Sequence, residues 1–373
     1  MKNAGIITFH CADNYGAVLQ VYALQKMLQQ LNIDAEIIDF RPKELTIPYN
    51  HSFNFYKNYK SKGLMRTIKL SMSKIYKYRD IKRRLDSFSD FRKQNLKLSN
   101  ESYAYSKDLC KNPPLYDFYV TGSDQVWNPH YIMNIGYSYF LDFVNSESVK
   151  ISYAASIAQD VEEELVEEYK KQLSEFNYIS IREESSVDFL RQITDKDIKV
   201  TLDPTLLLDK QEWGKISKSP NLGEKYILVY DLIQNNELIK IANQLSSELG
   251  MRIISYSNKR NYINSIESFH YRGPSEFLGL FEKAEFVLTN SFHGTVFAVI
   301  NNKPFYTIPH NKTGSRMVDL LKNINLDDRI VYQATDLKGK DYSINYKEAN
   351  KLLDNKRKDS IDFLMKSFET REE

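Results

Sequence analysis

A chain of 373 residues is long enough for about two domains, and its 42% hydrophobic and 27% charged residues are the proportions of a globular protein with a real core. The net charge of +2 gives no overall field to hold nucleic acid, and the two cysteines, Cys11 and Cys110, lack the spacing of a zinc or redox site. No run approaches the roughly 20 apolar residues of a membrane span, and the N-terminal apolar stretch is too short for a signal peptide, so the expectation is a cytoplasmic protein with reduced thiols.

Gly5 to Phe9 reads as a first strand, followed by a polar loop, His10-Cys11-Ala12-Asp13-Asn14-Tyr15-Gly16. Val18, Leu19, Tyr22, Leu24, Met27, Leu28 and Leu31 then recur at helical spacing, and Ile33 to Phe40 resumes as strand. This is a βαβ unit without G-x-G-x-x-G, so no dinucleotide fingerprint is present. His10, Asp13 and Asn14 could line a polar ligand, or Asn14 and Asp13 could cap the helix, which is the favoured reading for Asp13. Residues 57–97 hold fourteen Lys or Arg against three Asp, with apolar residues every three or four positions. That pattern predicts a long amphipathic helix or helix pair, either a solvated basic face or one drawn to anionic lipid head groups.

Tyr116 to Val120 reads as strand and runs into Thr121-Gly122-Ser123-Asp124-Gln125-Val126-Trp127, a cluster suited to a sugar or to a mere turn. Lys150 to Ile157 is a further strand, and an acidic helix follows. Tyr178 to Ile181 is a strand ending in Arg182, where a helix opens. Such an Arg can fork onto a phosphate or carboxylate, or pair with Glu183 or Glu184. Asp203-Pro204-Thr205 punctuates the chain after the next strand, and the domain boundary is expected there.

The second half repeats the alternation: strand 226–230, helix 236–249, strand 252–256, helix 274–283 and strand 285–288. This last strand leads into Thr289-Asn290-Ser291-Phe292-His293-Gly294, which opens an apolar helix. A histidine at a helix start on the carboxyl edge of a sheet stands where an anion is favoured. Thr313-Gly314-Ser315-Arg316 opens another helix after a strand at 303–308, and residues 344–373 read as a charged amphipathic helix. The six histidines are scattered with no H-x-x-x-H pair, so no metal requirement is expected. The fold class expected is α/β, with two Rossmann-like domains facing a cleft. The first spans residues 1–204 with the basic helical insertion at about 55–97, the second 205–343, followed by a helical tail at 344–373.

Taken together, Asn14-Tyr15-Gly16-Ala17-Val18-Leu19-Gln20, Thr121 to Trp127, Ser152 to Ser156, Arg182 with Ser185, Asp203-Pro204-Thr205 and Ser291-Phe292-His293-Gly294 resemble the polysaccharide pyruvyl transferase family. The resemblance implies a GT-B-like fold and transfer of the enolpyruvyl unit of phosphoenolpyruvate to two hydroxyls of a sugar, leaving a cyclic ketal. It associates Arg182 and His293 with phosphoenolpyruvate, a co-substrate in a reaction that needs no other cofactor. Many members carry Arg two residues before the late His, where this chain has Ser291; Arg316 is the candidate to replace that cation. The expected donor side is therefore Arg182, Ser291, His293, Gly294 and Arg316. The expected acceptor side, for a sugar or lipid-linked oligosaccharide, is His10, Asn14, Asp124 and Trp127. A nucleotide-sugar glycosyltransferase and a non-catalytic glycan-binding protein are the alternatives with the same architecture.

Overall fold

The structure is a computed structural model and describes residues 2–46, 64–145, 147–256, 267–310 and 314–369, with side chains in the helix 64–95 described from residue 79. Residues 57–63 of the basic stretch, Thr313, and residues 370–373 of the tail lie outside the described residues.

Two parallel sheets account for the architecture. The first contains β1 (Asn3–Ile7), β2 (Asp34–Phe40), β3 (Leu98–Tyr103), β4 (Phe118–Thr121), β5 (Val149–Ala155), β6 (Tyr178–Ile181) and β7 (Ile198–Val200), in the order β3-β2-β1-β4-β5-β6-β7. The second contains β8 (Tyr226–Tyr230), β9 (Arg252–Tyr256), β10 (Glu267–Ser268), β11 (Phe286–Thr289) and β12 (Phe305–Thr307), in the order β10-β9-β8-β11-β12. Central strands such as β4 and β8 are buried at every residue, as parallel strands covered by helices on both faces require. In each sheet the chain order reverses beside the first strand, between β1 and β4 and between β8 and β11. Loops at the carboxyl ends of those strands diverge, and the crevice they leave is where α/β proteins hold ligands.

The main helices are α1 (Tyr15–Gln30), α2 (Leu64–Asn95), α3 (Asn236–Leu249), α4 (Pro274–Lys283), α5 (Phe292–Ile300), α6 (Ser315–Asn323) and α7 (Lys347–Ser367). Helix α1 is capped by Asn14, whose side chain accepts from the Gly16 and Ala17 amides; Asp13 instead pairs with Arg92 of α2 at 2.8 Å. Of the two caps the sequence offered, Asn14 is the one that forms. Apolar residues surround the first turns of α1 because it is enclosed by the first sheet on one side and the second domain on the other. Tyr15 is stacked on Phe277 of α4, ring centroids 4.2 Å apart, and donates its hydroxyl to the Arg272 carbonyl.

Helix α2 ties the domains together. Arg84 donates to the Asp13 and His270 carbonyls and to the Tyr15 hydroxyl, and lies over the rings of Tyr15, Phe88 and Tyr256. Part of the positive charge read from the sequence is thus internal, satisfied by carbonyls and aromatic faces. Helix α7 also spans the two domains. It leaves the second domain at Tyr346, whose hydroxyl binds the Lys303 carbonyl, and returns to the first, where Ser360 accepts from the Leu202 amide and Phe368 packs on Phe118. No helix of the described residues is long and apolar enough to cross a membrane.

Candidate active site at the domain interface

Strand β6 is buried from Ile179 onward and ends against the Ala155 carbonyl of β5, which accepts the Arg182 amide at 3.0 Å. That bond fixes Arg182 at the carboxyl edge of the first sheet, with its side chain turned inward. One guanidinium nitrogen, Nη1, donates to Asp203 Oδ2 at 2.7 Å and to Ser123 Oγ at 3.3 Å. The other two, Nε and Nη2, are buried and have no partner. Burial opposes the charge of Arg182, but Asp203, with Glu183 and Asp124 behind it, outweighs that and raises its pKa. The sequence reading offered Glu183 or Glu184 as the partner; the structure gives Asp203. Glu183 is spent elsewhere, accepting from Ser156 Oγ and the Ile157 and Ala158 amides.

Asp203 is the hub. It is wholly buried, and its Oδ1 accepts from the Thr205 amide and hydroxyl at 3.0 and 2.6 Å, closing the turn after β7. Its Oδ2 takes Arg182, Ser123 at 3.2 Å and, at 3.6 Å, His293 Nε2 from the other domain. Burial pushes this carboxyl upward, yet His293, Arg182 and Thr205 hold it far below the usual carboxylate range.

His293 is the second residue of α5, a helix begun by Ser291, whose side chain accepts from the Gly294 amide. Its Nε2 is buried and has no hydrogen bond, with Asp203 just beyond hydrogen-bond reach. Its Nδ1 faces Gly16 in the first turn of α1. A Cβ at Gly16 would stand 2.1 Å from Nδ1, so only glycine lets the two domains approach this closely here. Gly294 is confined in the same way by Thr289 and Tyr230.

Phe292 and Arg316 complete the arrangement. The guanidinium carbons of Arg182 and Arg316 lie over the Phe292 ring at 5.0 and 5.6 Å. Burial, and then repulsion from Arg182, pulls the pKa of Arg316 down to about 10. Its Nε is buried without a partner. Two like charges held together with unfilled donors form a site for an anion, since each unfilled buried donor costs about 1–3 kcal/mol until something accepts from it. A crevice with about 90 Å³ of room opens beside them, walled among others by Asp319 of α6 and Lys356 of α7.

The residues expected on the acceptor side separate. Asp124 is half-buried in a left-handed conformation, φ 82°, and its charge reaches both Arg182 and Arg316. Strain of that kind in a non-glycine residue gathers at functional sites. Asn14 is exposed at the start of α1, next to Gly16. His10 and Trp127 end elsewhere. His10 is wholly buried with Nε2 on Asp39 at 2.8 Å, and Trp127 is wholly buried, stacked on Phe140 and donating to the Tyr139 carbonyl. Neither turns a face to the cleft, because each closes its own shell in the core of the first domain.

Asp203, Ser123, Phe292 and Lys356 were not singled out as site residues from the sequence. Asp203 had a usable signal, an acidic residue at a strand's carboxyl end, but the proline after it reads equally well as a turn.

A family model for polysaccharide pyruvyl transferase matches residues 14–312. The chain belongs to that family. The matched span takes in Gly16, Ser123, Arg182, Asp203 and His293, while Arg316 lies just beyond it. None of the curated proteins compared with the chain matches it. Among solved structures the chain is similar to UDP-N-acetylglucosamine 2-epimerase from Rickettsia bellii, with TM-score 0.52 and 11% identity over 98% of this chain and 96% of that one. It is similar too to the S. aureus MnaA–UDP co-structure, with TM-score 0.51 and 11% identity over 99% and 98%. The UDP-GlcNAc 2-epimerase from Methanocaldococcus jannaschii gives TM-score 0.50 and 15% identity over 95% and 92%. At these identities the likeness is one of fold, α/β with paired parallel sheets of GT-B-like arrangement.

Proposed function

We propose that this family member transfers the enolpyruvyl group of phosphoenolpyruvate to two hydroxyls of one sugar in a surface-polysaccharide precursor, forming a cyclic pyruvate ketal. The observation that carries the reading is the Arg182–Arg316 pair, with buried, unfilled donors beside His293. Phosphoenolpyruvate is a small dianionic or trianionic donor, and the pair suits its carboxylate and phosphate. Protonation of the methylene carbon makes the carbon bearing phosphate electrophilic. One sugar hydroxyl adds there, the C–O bond to phosphate breaks, and the neighbouring hydroxyl closes the ring. One hydroxyl proton replaces the one given to the methyl group, and the other leaves with phosphate. Ser291 and Gly294 shape the helix start that carries His293, and Asp124 and Asn14 stand on the side assigned to the acceptor.

The reaction is assigned to the cytoplasm. A lipid-linked acceptor would bring the basic stretch at 57–97 near anionic head groups, where each of its Lys or Arg that reaches the surface adds about 1 kcal/mol. The test is phosphate release from phosphoenolpyruvate, measured with a panel of sugar diols and lipid-linked oligosaccharides. Acceptor-dependent release with formation of a ketal methyl signal is expected. Turnover of a nucleotide sugar in its place would overturn the reading.

A further inference from the structure

We propose that Asp203 is a positioning residue for His293: its carboxylate keeps a proton on Nε2 and leaves Nδ1, the nitrogen turned to Gly16, to exchange a proton with the bound donor. The inference rests on the pyruvyl-transfer reading and adds to it which nitrogen acts and what holds it. Nε2 is buried, makes no hydrogen bond, and has the carboxylate of Asp203 beside it, Oδ2 at 3.6 Å. Nδ1 lies on the side where the first turn of α1 meets α5.

Asp203 is itself immobile. Two bonds from Thr205 and one each from Arg182 and Ser123 fix both oxygens, so the imidazole meets a carboxylate that cannot rotate away. The charged and titratable groups around the ring are that carboxylate, Arg182 on its far side and Arg316 across Phe292. Helix α1 presents the Gly16 backbone, and β8 the buried Tyr230 phenol beside Gly294. The 3.6 Å gap spans the two domains, and a small closure on the donor would bring it to hydrogen-bond length.

The step then balances. Doubly protonated His293 gives its Nδ1 proton to the methylene carbon of phosphoenolpyruvate, leaving the neutral ring protonated at Nε2. Nδ1 next takes the proton of the first sugar hydroxyl as its oxygen bonds to carbon, which restores the starting form.

The experiment uses full-length protein labelled with ¹⁵N-histidine, with His293 assigned by its loss in His293→Gln. Its tautomer is followed by ¹H–¹⁵N spectra in wild type and Asp203→Asn, and phosphoenolpyruvate binding is measured separately by calorimetry. Wild-type His293 is expected as the Nε2–H tautomer, and Asp203→Asn is expected to lose that preference, with the Nδ1–H form appearing in its spectrum. In turnover, Asp203→Asn lowers kcat by about 10²–10⁴-fold, the usual worth of acid–base catalysis. A wild-type Nδ1–H tautomer, or an unchanged tautomer in folded Asp203→Asn, overturns the assignment. Should that variant not fold, Thr205→Ala, which removes one of the bonds that fix the carboxylate, takes its place under the same criterion. Nε2–H without any donor binding sinks the pyruvyl-transfer reading and leaves the positioning assignment standing.

Discussion

On the proposed reading, Arg316 serves the donor at the expense of the fold. The ring of Phe292 is its contact in the structure, its Nε lacks an acceptor, and Arg182 repels it. Replacing it by Gln removes that repulsion. Arg316→Gln is therefore expected to melt at the same temperature as wild type or a few degrees higher, while its KM for phosphoenolpyruvate rises at least about tenfold. A clear loss of stability would mark Arg316 as structural. Asp39 is the opposite case. Burial raises its carboxyl, but His10 and then Arg41 outweigh this and bring it to about 2. A group depressed in the folded state stabilises above its unfolded value of about 3.9, and that stabilisation is lost as pH falls from about 4 towards 2. It amounts to on the order of 2 kcal/mol. Thermal melts between pH 5 and pH 2.5 should fall steeply for wild type and more gently for Asp39→Asn, and parallel curves would contradict the pairing.

At the scale of elements, the site is built where the starts of α1 and α5 meet. The sequence made both helices legible. Helix α3 and the strands on either side of it, 226–230 and 252–256, carry clean changes of period and were read at their observed limits. Strand β3 was not read, because Leu98–Tyr103 is an edge strand with one buried residue and so has a polar sequence. The meeting of α1 and α5 was not legible either, since Gly16 and His293 are 277 positions apart and nothing local in either segment reports the other. Gly16→Ala tests the contact directly. Alanine favours a helix by about 1 kcal/mol, so the fold should survive, with unchanged far-UV circular dichroism. The methyl group would displace His293 or part the domains, and kcat/KM for phosphate release should fall at least about tenfold. Wild-type activity in this variant would show that the approach of α1 to His293 is incidental.

For the whole molecule, the two domains are joined by the Tyr15–Phe277 stack, the Arg84 tie of α2, the return of α7, and the Asp203 cluster. The first three combine packing and hydrogen bonds, with the ion pairs Asp80–His270 and Arg83–Glu276 on α2. The last is unfinished, with buried donors on Arg182 and Arg316 that have no acceptor. The fold class and the late histidine could be read from the sequence because they depend on local pattern. The hub could not, because it is assembled from β6, the turn after β7, α5 and α6, and its logic is charge in three dimensions. The central claim is that this cluster receives phosphoenolpyruvate. Its most direct test is a calorimetric titration of the full chain with phosphoenolpyruvate and, separately, with uridine diphosphate. Saturable binding of phosphoenolpyruvate, weakened at least about tenfold in Arg316→Gln and absent for the nucleotide, is the predicted result. Binding of uridine diphosphate with none of phosphoenolpyruvate would contradict it and favour a nucleotide-sugar transferase on the same fold.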